Sequence, residues 1–212
     1  MSVQPSRRLV EMFQRISVAI EAEKNYLSAL DGAIGDADHG ITMALGFSTV
    51  NTELSRLDLD RTAPSDIFRT AASAFLDAVG ASTGPLYASA FLRAAQAVEQ
   101  QGGLSCQTQA AIIAAMAKGI AERGKGQRGD KTMLDAWIPA AEAAAQHESA
   151  GATRMWQSII QAAEAGEHST RSMVATRGRA ARVGERSLGH TDPGAASAVI
   201  ILHAMRNTFV DG

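Results

Sequence analysis

The chain has 212 residues, 46% of them hydrophobic and 20% charged, with a formal net charge of −2. That is an ordinary globular composition, and so small a charge excludes attraction to nucleic acid or to an anionic membrane surface through the overall field. Cys106 is the single cysteine, which excludes an intrachain disulfide and suits a reducing compartment.

From the N-terminus, Leu9, Phe13, Ile16 and Ile20 step at helical intervals, and the charges among them deny this segment the apolar core of a signal peptide. No apolar run approaches the ~20 residues of a membrane span, so a cytoplasmic protein is expected. Met43, Phe47, Val50, Leu54 and Leu57 repeat the helical spacing, followed by Ile67, Ala71, Ala74 and Ala78 with Phe75 beside them. Pro64-Ser65 reads as the start of that helix, with Ser65 as its N-cap. Leu86, Ala90, Phe91, Ala94 and Val98 form the next face, closed by Gly102-Gly103. Ile112, Ile113, Met116 and Ile120 follow, then Met133, Trp137, Ala140 and Ala141, and then Met155, Ile159 and Ala163. Asp192-Pro193 supplies an N-cap acid and a first-position proline for a last helix through Val199, Leu202 and Met205. No run of alternating β-branched residues interrupts the series. The expectation is an all-α fold of about eight or nine helices of roughly 12–20 residues, antiparallel because the connections are short, in a single domain over residues 1–212.

Four segments break this pattern with Gly, Asp, Ser and Thr: Asp31–Gly40, Gly80–Gly84, Gly124–Thr132 and Gly189–Gly194. In an antiparallel bundle alternate connections share an end, so these four are expected together. Helix starts among them offer free N–H groups and a dipole that attract anions. In the first, Asp31, Asp36 and Asp38 fall within eight residues, and no Lys or Arg occurs from Asn25 to Ser55. Like charges this close repel, which calls for a cation, and hard carboxylate oxygens favour Mg²⁺ or Ca²⁺ over zinc. Carboxylate-held cations beside phosphate-attracting helix starts suggest a phosphate site.

Three other motifs are imitated and fail. Asp36-Ala-Asp38-His-Gly40 resembles an EF-hand loop, but its twelfth position is Phe47 where a bidentate Glu belongs. Gly80–Gly84 matches the G-x-S-x-G nucleophile elbow, which needs a preceding strand where this chain has helical period. Gly124–Thr132 approximates a P-loop with Asp130 inserted before the Lys, again after a helix. Several residues have bland readings. Lys131 reads as a surface charge, and Arg177, Arg179, Arg182 and Arg186, near a helix expected before Gly189, as a solvated face. His147 and His168 read as surface residues, His203 as core or boundary, and Trp137 and Trp156 as core. Nothing marks Cys106 as a nucleophile.

Together LDGAIGDADHG, GASTGPLY, RGKGQRGDKTMLDAW and TRGRAARVGERSLGHTDPGAAS, in this order, resemble the nucleotide-binding L subunit of dihydroxyacetone kinase, from about Leu9 to Met205. The resemblance implies an antiparallel eight-helix barrel holding ADP or ATP at one end. It implies that Asp31, Asp36 and Asp38 bind two Mg²⁺ ions that grip the phosphates. It implies further contacts to nucleotide from His39, Gly40, Ile41, Thr42, Ser82, Thr83, Gly124, Met133, Arg179, Asp192, Pro193 and Gly194. The partner implied is a separate K subunit carrying dihydroxyacetone on a histidine. In one branch of the family a phosphohistidine carrier of the phosphotransferase system, the M subunit, recharges bound ADP in place. In the other, free ATP is the donor. A stand-alone L domain with His39 in its DADHG looks like the first branch. Thr42, Thr83 and Ala81 depart from the common pattern and leave open an ATP-dependent kinase for another short ketose such as erythrulose. A nucleotide-binding regulatory module is a further alternative, and a homodimer is compatible with either.

Overall fold

The computed structural model describes residues 4–80, 82–101 and 103–211. Those residues contain nine α-helices, two 3₁₀ segments and no strand. In chain order the helices are α1 (Pro5–Ala22), α2 (Lys24–Ile34), α3 (His39–Leu54), α4 (Pro64–Ala78), α5 (Thr83–Gln101), α6 (Cys106–Gly124), α7 (Leu134–His147), α8 (Ala152–Ser169) and α9 (Pro193–Phe209). Glu23 alone separates α1 from α2, and its N–H still bonds to Ala19 O, so the two make one bent rod. Each helix packs on the next, and α9 returns to pack on α1, closing a ring of eight rods. The short connections make neighbours antiparallel, which is the expected eight-helix barrel.

The faces read from the sequence are the ones that turn inward. Leu9, Phe13, Ile16 and Ile20 of α1 are buried, as are Met43, Phe47, Val50 and Leu54 of α3 and Ile112, Ile113, Met116 and Ile120 of α6. Phe13, Phe47, Phe68, Phe75, Tyr87 and Phe91 join α1, α3, α4 and α5 through edge-on and tilted ring contacts. Such pairs each add about 0.5–1.5 kcal/mol beyond area burial. Across the barrel Trp156 stacks on Phe209 of α9. Both tryptophans are core, as expected, and no helix among the described residues is long and apolar enough to cross a membrane.

Four local readings are corrected. α4 is capped at Ala63 with Pro64 in its first turn, so Ser65 is already helical and its hydroxyl accepts from Arg69 instead. The first Gly-rich segment is shorter than its composition suggests: Asp31 to Ile34 are the last turn of α2, and His39 opens α3. Apolar packing of Leu27 and Ile34 extends the helix into the glycines. Lys131, read as a surface charge, is only 1% exposed. Ala81 and Gly102, which figured in the sequence reading, lie outside the described residues. Where the sequence suggested a helix before Gly189, the chain instead makes a long excursion from α8 to α9 with only short 3₁₀ turns.

Candidate functional site

The connections α2–α3, α4–α5, α6–α7 and α8–α9 are alternate ones, and they meet at one end of the barrel around a cavity of about 730 Å³. That volume falls in the range of small-ligand sites. One side is apolar, built from Leu45, Val79, Leu86, Ile120 and Leu134 at the ends of five helices. The other is charged, with Asp31, Asp36 and Asp38 facing Arg177 and Arg179.

The carboxylates gather because α2 ends at Gly35 and α3 begins four residues later. Asp31, in the last turn of α2, is nearly buried, and its Oδ2 accepts from the N–H groups of Asp38 (2.9 Å) and His39 (3.2 Å). A negative side chain thus serves the orphan donors at the start of α3. Gly35 is required for this: a Cβ there would come within 2.2 Å of Asp31 Oδ1. Ala37 takes a left-handed backbone, φ 63°, to turn the loop. One oxygen from each of Asp31, Asp36 and Asp38 lies within 4.8 Å of the others. Burial, and then the charge of Asp31, push the Asp38 carboxyl above its usual range. Arg179 reaches across to pair with Asp36 and, at 2.9 Å, with Asp38. Hard oxygen donors this close, with one carboxyl already hard to ionise, fit a divalent cation such as Mg²⁺.

His39 points inward from α3 to α9. Its Nε2 lies 3.0 Å from Ser197 Oγ, which donates to Gly194 O. Burial lowers its pKa to about 4 despite the nearby Asp31 charge and a bond to the Pro193 backbone, so the ring is neutral. Asp192 is the N-cap of α9 as expected, accepting from Ala195 N at 2.8 Å. Burial raises it to about 7, with Asp135 adding and the Ala195 N–H and Lys131 opposing.

The third connection is folded around its own acids. Asp135 Oδ1 accepts from Gly129 N (2.6 Å) and its Oδ2 from Thr132 N (2.8 Å). Asp130 accepts from Gln127 N, Thr176 Oγ1 and Arg177 Nε. Its burial alone would raise the pKa, and these bonds bring it below the usual range instead.

Of the residues expected at the site, Asp31, Asp36, Asp38, His39, Thr42, Ser82, Thr83, Gly124, Met133, Arg179, Asp192, Pro193 and Gly194 line the cavity. Gly40 and Ile41 do not. Gly40 is a packing position, where a Cβ would meet Lys24 O at 2.0 Å, and the Ile41 side chain is 60% exposed. Their N–H groups belong to the first turn of α3, which has no intrahelical acceptor for them. The apolar wall and Lys131 were missed. The signal for the wall was present, in apolar residues standing where helical faces run into Gly-rich turns. Nothing local distinguished Lys131. The look-alike motifs fail in three dimensions too: α4 precedes Gly80, Gly124 is the last residue of α6, and Phe47 is core.

The DAK2 domain family matches residues 33–207. The ADP-binding subunit DhaL of PEP-dependent dihydroxyacetone kinase 1 from Listeria innocua is 39% identical over 194 residues, covering 90% of each chain. The corresponding subunit from Escherichia coli is 35% identical over 203 residues, covering 93% of this chain and 94% of that one. The crystal structure of the dihydroxyacetone kinase of C. freundii superposes with a TM-score of 0.73 at 25% identity over 97% of this chain. This chain spans 35% of that longer one.

Proposed function

The chain belongs to the DAK2 domain family, and from that membership we propose that it is the ADP-binding L subunit of a cytoplasmic dihydroxyacetone kinase. It acts as a single L-type domain over residues 1–212. It passes a γ-phosphoryl group to dihydroxyacetone held on a separate K subunit, and a phosphohistidine carrier of the phosphotransferase system recharges its ADP. The observation that carries this reading is the cavity itself, apolar on one side and carboxylate-lined on the other. It suits a ligand with a flat apolar base at one end and a metal-bound polyphosphate at the other.

Asp31, Asp36 and Asp38 would hold Mg²⁺, two ions by the family resemblance, whose charge would neutralise phosphate oxygens. Arg179 faces the same phosphates, and Ser82 and Thr83 present hydroxyls and N–H groups at the start of α5. The neutral ring of His39 packs the floor without adding charge. Gly124 and Met133, with Asp192, Pro193 and Gly194, border the remainder of the nucleotide. No side chain need act as nucleophile, because positioning and charge neutralisation suffice for this chemistry.

Native mass spectrometry of freshly purified protein tests the reading. ADP and Mg²⁺ retained through purification, and sugar phosphate formed when a K subunit, dihydroxyacetone and the phospho-carrier are added, are the expected results. Turnover only with free ATP would move the chain to the other donor branch. Absence of both nucleotide binding and transfer would overturn the reading.

A further inference from the structure

The excursion between α8 and α9, residues 170–192, carries Arg177 and Arg179 to the cavity mouth. Only Thr170, Ala175, Ser187 and Asp192 in it are buried, so apolar packing does little to hold it. Hydrogen bonds hold it instead. Gly189 N donates to Arg171 O at 2.7 Å, closing the neck, and Ala175 N donates to Ser187 Oγ at 2.9 Å within it.

Thr170 Oγ1 accepts from Asp192 N at 3.0 Å across the feet, and two consecutive residues of the α6–α7 connection bind the strap to the barrel. Asp130 grips the middle: its backbone O accepts from Thr176 N (3.1 Å) and its carboxylate from Thr176 Oγ1 (2.8 Å) and Arg177 Nε (3.3 Å). Lys131 grips both ends: its Nζ donates to Thr170 O and to His190 O, each at 2.6 Å. The Lys131 ammonium is buried beside Asp135 and Asp192, and its backbone is left-handed, φ 59°, a conformation less favourable for lysine than for glycine. A buried charge on a strained backbone, spent on two carbonyls at the two feet of one loop, has a specific consequence for what the loop carries.

We propose that Lys131 is a positioning residue, whose ammonium ties the two feet of the 170–192 strap and thereby sets where Arg179 meets Asp36 and Asp38. Arg179 is itself half exposed, and a surface guanidinium on a loose loop would gain little from such pairs. Held at both feet, it arrives pre-oriented. The consequence for ligand binding rests on the reading of the cavity as a Mg²⁺-nucleotide site, whereas the mechanical claim does not.

Hydrogen–deuterium exchange and calorimetry on wild type, Lys131→Met, Arg179→Ala and the double variant test both. Without ligand, Lys131→Met should speed exchange across residues 171–189 and also at Asp36–Asp38, while Arg179→Ala speeds it at Asp36–Asp38 alone. The double variant should be no faster at Asp36–Asp38 than either single one. Mg²⁺-ADP affinity should fall about 10- to 100-fold in Lys131→Met, and the losses should not multiply in the double variant. Wild-type exchange at Asp36–Asp38 in Lys131→Met, or multiplying losses, overturns the proposal. A wild type that binds no Mg²⁺-ADP overturns the nucleotide reading, and the exchange data still decide on Lys131. Should Lys131→Met lose its helical circular dichroism, Lys131→Gln, which keeps a donor, takes its place; unfolding of both assigns Lys131 to the fold and overturns the proposal.

Discussion

The two ends of the barrel are built to opposite rules. At one end the connections α3–α4, α5–α6 and α7–α8 close on themselves. Ser6 Oγ donates to Thr62 O, and Ser105 caps α6 by accepting from Thr108 N. Gln109 donates to Leu104 O while its Oε1 accepts from Trp156 Nε1 at 2.6 Å. Every one of these polar groups finds a neutral partner within the protein. At the other end three carboxylates crowd together, a fourth is pushed up to about 7 by burial, and a histidine is pushed down to about 4. The same helices thus run from an end where these polar groups bond within the protein to one where charges crowd together. Binding is assigned to one end only, so substitutions at the other should change stability without changing binding.

The largest effect expected is from Asp36→Asn. It should abolish Mg²⁺-dependent nucleotide retention, read by calorimetry, while the helical circular dichroism and the denaturation midpoint stay near wild type. Asp36 is half exposed and, among the described residues, pairs with Arg179 alone, so little stability rests on it. A collapse of the fold in this variant would break the division between the ends.

Asp192 tests the charged end by pH. Its folded pKa, about 7, exceeds its ordinary value of 3.8, so the folded state binds the proton more tightly than the unfolded one. The stabilisation from protonation is complete below pH 3.8 and is lost as pH rises through about 7. Asp192→Asn keeps the cap and removes the titration. Relative to it, wild type should lose up to about 4 kcal/mol of urea-unfolding stability between pH 4 and pH 8, at about 1.4 kcal/mol per pKa unit.

The closed end is tested by Gln109→Ala. It strands the buried Trp156 N–H, and about 2 kcal/mol of stability should be lost with nucleotide affinity unchanged. Ser105→Ala, which removes one cap bond, should cost about 1 kcal/mol in the same denaturation measurement and likewise leave binding alone.

The helices were legible because their signal is local. Leu9, Phe13, Ile16 and Ile20 announce a buried face by spacing alone, and all four are buried. The four Gly-rich turns and the carboxylate triplet were legible for the same reason, and antiparallel alternation by itself puts them at one end. The start of α4 was misread by two residues because Pro64 itself takes the first helical position, so that Ala63 caps the helix and Ser65 lies within its first turn. The excursion before α9 was misread because its arginines mimic a polar helical face, while its order comes from hydrogen bonds to Asp130 and Lys131, some 39 to 59 residues away in the chain.

The sequence by itself therefore determined the all-α class, the inward faces, the family resemblance and the placing of the carboxylates, since each depends on residues within a turn or two of one another. The tertiary structure alone decided that Arg179 pairs with Asp38 across 141 residues, that the ends of five helices form an apolar wall, and that Lys131 is buried. Those facts follow from ring closure. Only when α9 packs on α1 do the four connections face one another, and a lysine that looks solvent-bound in its own segment is covered by a strap from the far side of the chain.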